Sequence, residues 1–414
     1  MKLLILGGGS GQLAIIKKAK EKGHQVIVSD YYEDAPGKAY ADYGETVSTF
    51  NIEDNIKIAR KYNIDGVLTV GTDQPVYTAA KVADSLNLPF YLSVQTAKAV
   101  TNKKIMKKFF KKYNIPTAKY KILKKNFTNT DLKDINFPVV VKPMDSQGQR
   151  GVFKLNSPQE IDEKFLEVLS FSREEEILVE EYYESKEVTV SGWVENGLLH
   201  ILTITDRIRY SNKIHIGICS AHIFPSEFLE VYYDKIKGLS QKIVSSFKLK
   251  NGPIYFQLLI GKEGIKVNEI ACRIGGAYEG DFMPYLTGID ILDLMIDLSL
   301  ARRIDPGQLE KYHILKNNKW LSVQLFYARP GRIDSISKLD ELLKIPGVMQ
   351  LGFNFNKGDE IGIIKNATER AGYFIVTGST RKELKKNISN TFDHLKISDK
   401  FGNNLVIREL GEVL

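Results

Sequence analysis

Four short apolar runs near the start constrain the fold more than any other feature. LLIL at 3–6, QVIVS at 25–29, GVLTV at 66–70 and FYLS at 90–93 each span four or five residues between polar or glycine-rich stretches. Runs of that length and bounding read as buried strands. Helical periodicity fills the gaps at 11–22, 53–62 and 75–87. Strands that alternate with helices pair in parallel, each helix crossing over a face of the sheet. Residues 1–98 are therefore expected to form a Rossmann-like α/β domain.

The pattern then changes. A helix is expected at 99–112, and Ile115-Pro116 marks a break after it. From about 118 to 305, strand-like runs dominate: VVVK (139–142), ILVEEY (177–182), EVTVSGWV (187–194), HILTIT (200–205) and IYFQLLI (254–260). Helices are expected near 158–169, 228–247 and 289–301, and Asp305-Pro306-Gly307 reads as a linker. The tail returns to short strands, LSVQLFYA, EIGIIK and GYFIVTG, and a last helix opens at Ser379-Thr380 with Glu383 three residues on, as in a capping box. The expected units are 1–98, 99–305 and 306–414, α/β in class and α+β overall.

Charge matters in one place. The formal net charge is +8, and residues 98–125 hold eleven lysines and no acid. A nucleic-acid surface would need such a run, but a solvated helix face explains it more simply. Two cysteines exclude a disulfide framework and suit a reducing compartment. MKLLILGGG is too short an apolar run for a signal peptide, and no stretch approaches the ~20 apolar residues of a membrane helix. A cytoplasmic protein is expected.

Gly7, Gly8, Gly9 and Gly11 follow the first strand and open the first helix, and Asp30 ends the second strand. That nearly reproduces a dinucleotide-binding turn. Gln12 stands where the third glycine would allow close helix–strand packing, so the expectation is a tight turn that does not bind NAD.

The segment VVVKPMDSQGQRGV (139–152) carries the most chemistry. A buried strand delivers Lys142, Pro143 stops it, and a loop with Ser146, Gly148 and Gly151 follows. Backbone N–H groups of such a loop can cover phosphates while the lysine supplies positive charge. In a Walker A loop the lysine follows the glycines; here it precedes them. ILVEEYYESKEVTV (177–190) then places Glu180, Glu181, Tyr182 and Tyr183 at a strand end and Glu187 at the next strand start, suited to an adenine slot and a ribose acceptor. In GPIYFQLLIGKEGIKVNEIACRIGG (252–276), Gln257 and Glu269 lie on two runs joined by a turn. Such a hairpin can put both on one face, where magnesium shared with ATP phosphates would sit. Arg273 follows, able to grip a carboxylate or steady a phosphoryl group in flight, and then Gly275-Gly276.

Taken in order, these residues resemble the ATP-grasp superfamily over essentially the whole chain. The resemblance implies a Rossmann-like pre-ATP-grasp domain, a two-lobed ATP-grasp core and a small mixed C-terminal domain. It implies that Lys103 and Lys142 contact phosphates, that 145–151 is the mobile glycine-rich loop, and that Glu180 to Tyr183 form the adenine hinge. It further implies that Glu187 binds ribose, Glu269 binds metal, and Arg273 with Lys142 stabilises charge in catalysis. Two departures stand out: Gln257 where the family usually has glutamate, and Ala271 where it often has asparagine. The EIAxR form at 269–273 resembles L-amino-acid ligases and carboxyaminoimidazole ribonucleotide synthetase, whose loop also resembles Asn212…His215 with Gly217-Ile218. The tail, with GRIDSI, the PGV turn, KGDEIG and Arg370 before Gly372, resembles the amino-acid ligases.

The resemblance implies a carboxylate–amine ligase working through an acyl phosphate, amino-acid or peptide type first. A purine-pathway-like synthetase and a nucleotide-binding regulator without catalysis, for which Gln257 argues, are the alternatives. The cofactors implied are ATP and Mg2+, with Mn2+ as an alternative ion. The partners implied are a small-molecule carboxylate and amine, with no nucleic acid and no membrane, and a second copy of the chain as a homodimer. Thr72, Asp73, Arg207, His215, Gly275 and Gly276 are the expected substrate linings.

Overall fold

The first sheet builds on the strand β1 (Lys2–Leu6), which pairs in parallel with β2 (Gln25–Ser29) on one side and β4 (Gly66–Leu68) on the other. With β3 (Tyr43–Glu45) the order is β3-β2-β1-β4 in this computed structural model, which describes residues 1–210 and 216–408. The helices α1 (Leu13–Glu21), α2 (Ile52–Tyr62) and α3 (Pro75–Leu86) bury one apolar stripe each, as their periodicity requires.

Two expectations fail here, for identifiable reasons. Residues 90–93 form no strand. Pro89 cannot donate to a ladder. Ser93 instead caps α4 (Val94–Thr101), its Oγ accepting the Thr96 N–H at 3.1 Å. The run is apolar because it packs beneath the next unit: Tyr91 Oη donates to Cys272 O at 2.7 Å. The helix expected at 99–112 is also two helices. Asn102 is extended (φ −121°, ψ 114°) and accepts the Ile105 N–H, capping α5 (Lys103–Lys112). Lys103 thereby opens a helix instead of sitting inside one.

A second sheet has the order β5-β8-β6-β7, from β5 (Tyr120–Leu123), β6 (Val139–Pro143), β7 (Phe153–Leu155) and β8 (Ile177–Glu181). The helix α6 (Pro158–Leu169) covers it with Ile161, Phe165 and Val168. A third sheet of eight strands is antiparallel throughout. It contains β9 (Ser185–Glu195), β10 (Leu198–Tyr210), β11 (Ile218–Phe224), β12 (Gly252–Gly261) and β13 (Gly264–Ala271), in the order β13-β12-β9-β10-β11. It then continues without interruption into the tail through β14 (Trp320–Phe326), β19 (Gly372–Gly378) and β17 (Val348–Phe353). The helices α7 (Leu229–Ser246), α8 (Glu279–Thr287) and α9 (Ile291–Ser299) pack around it, and the short α10 (Gly307–Lys311) follows.

The tail is completed by α11 (Leu339–Leu342), α12 (Arg381–His394) and two small ladders, β15 (Gly331–Arg332) with β18 (Glu360–Ile361) and β16 (Ser335–Ile336) with β20 (Ile397–Ser398). EIGIIK thus yields only two strand residues. Thr380 caps α12 through the Glu383 N–H, while the Glu383 carboxylate takes the Ser379 N–H.

One core runs from the first sheet into the third, joining Leu3 and Val28 to Met106, Trp193, Phe256 and Phe282. Gly66 shows how closely the units meet: a Cβ there would stand 2.4 Å from Ser299 O. Among the described residues no helix is long and apolar enough to cross a membrane.

Candidate active site

A cleft opens between the second and third sheets. Its inner end is a buried charged triad. β6 delivers Lys142 and β8 delivers Glu180, while α5 contributes Lys107. Glu180 Oε1 lies 2.5 Å from Lys107 Nζ, and Oε2 lies 2.7 Å from Lys142 Nζ. Burial alone would raise the Glu180 pKa, but the two ammonium groups overrule it and hold the carboxyl down at about 2. Burial pulls Lys107 below the ordinary lysine value. Lys142 is also penalised by burial, yet Glu180, with Glu269 and Glu187 beyond it, raises it on balance. Two cations on one carboxylate leave an excess positive charge facing the cleft.

The lysine run is therefore not one solvated face. Lys108, Lys111 and Lys112 are exposed, but Lys107 is 1% exposed and Lys103 turns inward. Sequence reasoning missed Lys107 because nothing in a run of lysines marks the one on the apolar side of the helix beside Met106 and Phe110.

Opposite the triad, β12 and β13 form the expected hairpin, and Gln257 pairs with Glu269 across it. The register then slips: Leu258 pairs with Val267, so Asn268 has no partner across the ladder. Such a bulge re-aims side chains, so neighbours that would alternate faces can serve one site. Asn268 Oδ1 accepts from Lys142 Nζ at 2.8 Å, and Glu269 Oε1 lies 3.2 Å from Lys103 Nζ. Asn268 Nδ2 in turn donates to Gln257 Oε1 at 3.4 Å. Glu269 is pushed up by burial and, more strongly in sum, down by Lys103, Lys142 and Arg273, so it stays ionised. An alternating strand pattern cannot reveal a bulge, so the sequence alone does not point to Asn268.

Towards the outer end, a pocket is lined by Val140, Val152, Leu259, Tyr182, Tyr183 and Glu187. The rings of Tyr182 and Tyr183 lie under Lys154 and Lys266, at 3.7 and 4.0 Å. Glu181 accepts the Asn136 N–H, and the Glu180 carboxylate is spent on the triad. With both carboxylates engaged, segment 180–183 offers the pocket its backbone and ring surfaces. Arg207 lies at this end, 3.1 Å from Glu187 Oε2 and donating to Gly217 O. The other oxygen, Glu187 Oε1, is buried without a partner, as is Ser146 Oγ in the glycine-rich loop. Buried polar atoms normally find partners, so these two mark where a ligand would supply hydroxyls or phosphate oxygens. His215 lies outside the described residues.

The glycine-rich loop folds over the cleft. Lys103 Nζ donates to Ser146 O at 2.9 Å, and Arg173 anchors Asp145 at 2.7 Å. Beyond it stands Arg273, whose Nε and Nη2 both reach Asp73 Oδ1 at 2.7 Å. Burial raises Asp73 despite that arginine. Thr72 and Asp73 therefore meet Arg273, Gly275 and Gly276 as one group. Side chains would not fit there: a Cβ on Gly276 would lie 2.4 Å from Gly71 O, and one on Gly275 2.3 Å from the Glu279 carboxyl. At the first glycine turn, Gln12 lies over Gly7 and Gly9 and donates to Val70 O, while Asp30 accepts the Gly8 N–H.

Residues 135–281 match the model of the ATP-grasp domain, and residues 324–399 match that of the L-amino acid ligase C-terminal domain 2. Fold, cleft and matches together place an ATP-grasp domain at the centre of the chain. A phosphoribosylamine–glycine ligase of Pyrococcus horikoshii is 24% identical over 343 residues, covering 76% of this chain and 74% of that one. The L-amino acid ligase of Bacillus licheniformis superposes with a TM-score of 0.82 at 20% identity, over 96% of this chain and 98% of that one. The N5-carboxyaminoimidazole ribonucleotide synthetase of Thermotoga maritima does so with a TM-score of 0.72 at 19% identity, over 96% and 99%. The tail is thus of the kind found in L-amino acid ligases.

Proposed function

We propose that the chain joins the carboxylate of an amino acid to an amine, splitting ATP to ADP and phosphate through an acyl phosphate. The carrying observation is the order of groups along one cleft. An apolar pocket with the unpartnered Glu187 Oε1 leads to Lys142 and Lys103 beneath the glycine-rich loop, and then to Arg273 on Asp73. That order suits adenine, ribose, phosphates and a carboxylate in sequence. The amino-acid choice is supported by the match of 324–399, and by a curated relative whose name pairs an amine with glycine.

In the first step a substrate carboxylate oxygen bonds to the γ-phosphorus and the bond to the β-phosphate oxygen breaks, releasing ADP. In the second an amine nitrogen bonds to the acyl carbon, the acyl–oxygen bond breaks, and phosphate leaves. Positioning and charge neutralisation are most of what such chemistry needs. Lys103 and Lys142 hold the phosphates. Arg273 orients the acid and balances charge on the acyl phosphate. The loop excludes water.

The donor set fits magnesium: Glu269 offers carboxylate oxygen, and Asn268 and Gln257 offer amide oxygens. Among the described residues no three His, Cys, Asp or Glu side chains cluster, so an ion here would complete its shell with phosphate and water, as magnesium does. When bound, it would neutralise charge on the phosphate oxygens; manganese suits the same donors.

ADP release measured against pools of amino acids and other carboxylates, with and without amines, tests the reading. Release that depends on both an amino acid and an amine is the expected result. Release that depends instead on bicarbonate and an aminoimidazole nucleotide would replace it with the synthetase alternative.

A further inference from the structure

The tip of the glycine-rich loop touches three parts of the molecule at once. Gln147 Oε1 accepts the Asp73 N–H at 2.7 Å, and Gly148 O accepts the Ala367 N–H at 2.9 Å. The Gln149 side chain lies over Gly217, where an added Cβ would come 3.2 Å from its Oε1. Gly148 and Gln149 both hold left-handed backbone, at φ 68° and 63°. A residue other than glycine keeps that conformation only where its surroundings enforce it. The base of the loop is anchored separately, through Lys103 and Arg173. The tip contacts are therefore the ones that register whether the loop lies down over the cleft.

Asp73 gives the Gln147 contact its consequence. Its carboxylate holds two nitrogens of Arg273. Its amide belongs to the turn just before α3, where N–H groups lack helical partners and need an outside acceptor. Gln147 supplies one. A side chain of the phosphate-covering loop thus fixes the turn whose carboxylate orients the arginine at the substrate end.

We propose that Gln147 is a positioning residue that couples loop closure to the placement of Arg273. With the loop down, the turn at 71–74 is locked and Arg273 faces the acid. With the loop raised, Asp73 loses its amide partner, and the carboxylate that holds the guanidinium is less firmly placed. A water-sensitive acyl phosphate then forms only under a closed loop. The kinetic consequence rests on the ligase reading; the structural coupling does not.

Gln147→Met keeps the reach and removes the acceptor, and Gln147→Glu keeps an acceptor oxygen. Hydrogen exchange of the intact chain, with magnesium and a non-hydrolysable ATP analogue, reads the coupling directly. Nucleotide should slow exchange at 71–74 in the parent chain and in Gln147→Glu, and leave it unslowed in Gln147→Met. In parallel, kcat for acid- and amine-dependent ADP release should fall about 10- to 100-fold in Gln147→Met, with the KM for ATP within about twofold, the size expected when a catalytic group is misplaced by ~1 Å. Equal protection of 71–74 in the parent and Gln147→Met, or an unchanged kcat, overturns the proposal. If the parent chain releases no ADP with any acid, the ligase reading fails, and the exchange measurement alone still decides the coupling.

Discussion

Replacing Lys107 by methionine should destabilise the protein in a way that depends on pH. The substitution keeps most of the length of the side chain and removes its ammonium from a position 1% exposed. Glu180 is displaced from an ordinary value of 4.5 to about 2. At about 1.4 kcal/mol per pKa unit, that corresponds to roughly 3 kcal/mol in favour of the ionised form. The folded-state value is the lower one, so this stability is present above pH 4.5 and is lost as pH falls towards 2. With Lys107 gone, Lys142 alone opposes the burial of the carboxylate, and the Glu180 pKa rises. Relief of the buried lysine's own desolvation offsets part of the loss, so about 2 kcal/mol should disappear at pH 7, somewhat less than the roughly 3–5 kcal/mol typical of breaking a buried ion pair. Denaturant unfolding of both chains at pH 7 and near pH 3 measures it, and the gap should narrow at the lower pH as Glu180 takes up a proton in the variant. A gap of equal size at both pH values, or below about 0.5 kcal/mol at pH 7, would refute the charge argument.

Three further outcomes follow from the cleft. Glu187→Ala should raise the KM for ATP about tenfold and change kcat little, since a ribose contact is made equally in ground and transition states; a collapsed kcat with an unmoved KM would remove Glu187 from the ribose. Gln257→Glu adds a charge beside Glu269 and Asn268 and should lower the magnesium needed for half-maximal ADP release, whereas an equal or greater requirement would place Gln257 away from the ion. NAD should show no micromolar binding by calorimetry, because Gln12 covers the turn and Asp30 already holds the Gly8 amide.

Much of this site was legible in the sequence because strands announce themselves by apolar runs and deliver side chains at their ends. Lys142 at the end of VVVK and Glu187 at the start of the next strand fell on the cleft for that reason. What was hidden depends on contacts between distant segments. Asn268 joins the site only through a slip in pairing that no local pattern encodes. Lys107 differs from its neighbouring lysines only by the helix face it occupies, and Gln147 only by what lies across from it. The run at 90–93 misled because burial under another unit and burial in a sheet demand the same apolar residues. The helix break at Asn102 was missed because that residue tolerates both helix and cap.

The unbroken eight-stranded sheet has a consequence for how such a molecule can be cut, moved or recombined. Backbone hydrogen bonds between β11 and β14, from Ala221 to Phe224, stitch the tail to the body of the protein. Ending the chain at 305 would strip a fully buried strand of its neighbour and leave a raw edge open to pairing with other chains. The tail is thus not a cassette that could be exchanged between relatives without rebuilding that seam. It forms one continuous frame with the body, and the second sheet, with its glycine-rich loop, faces that frame as a separate layer.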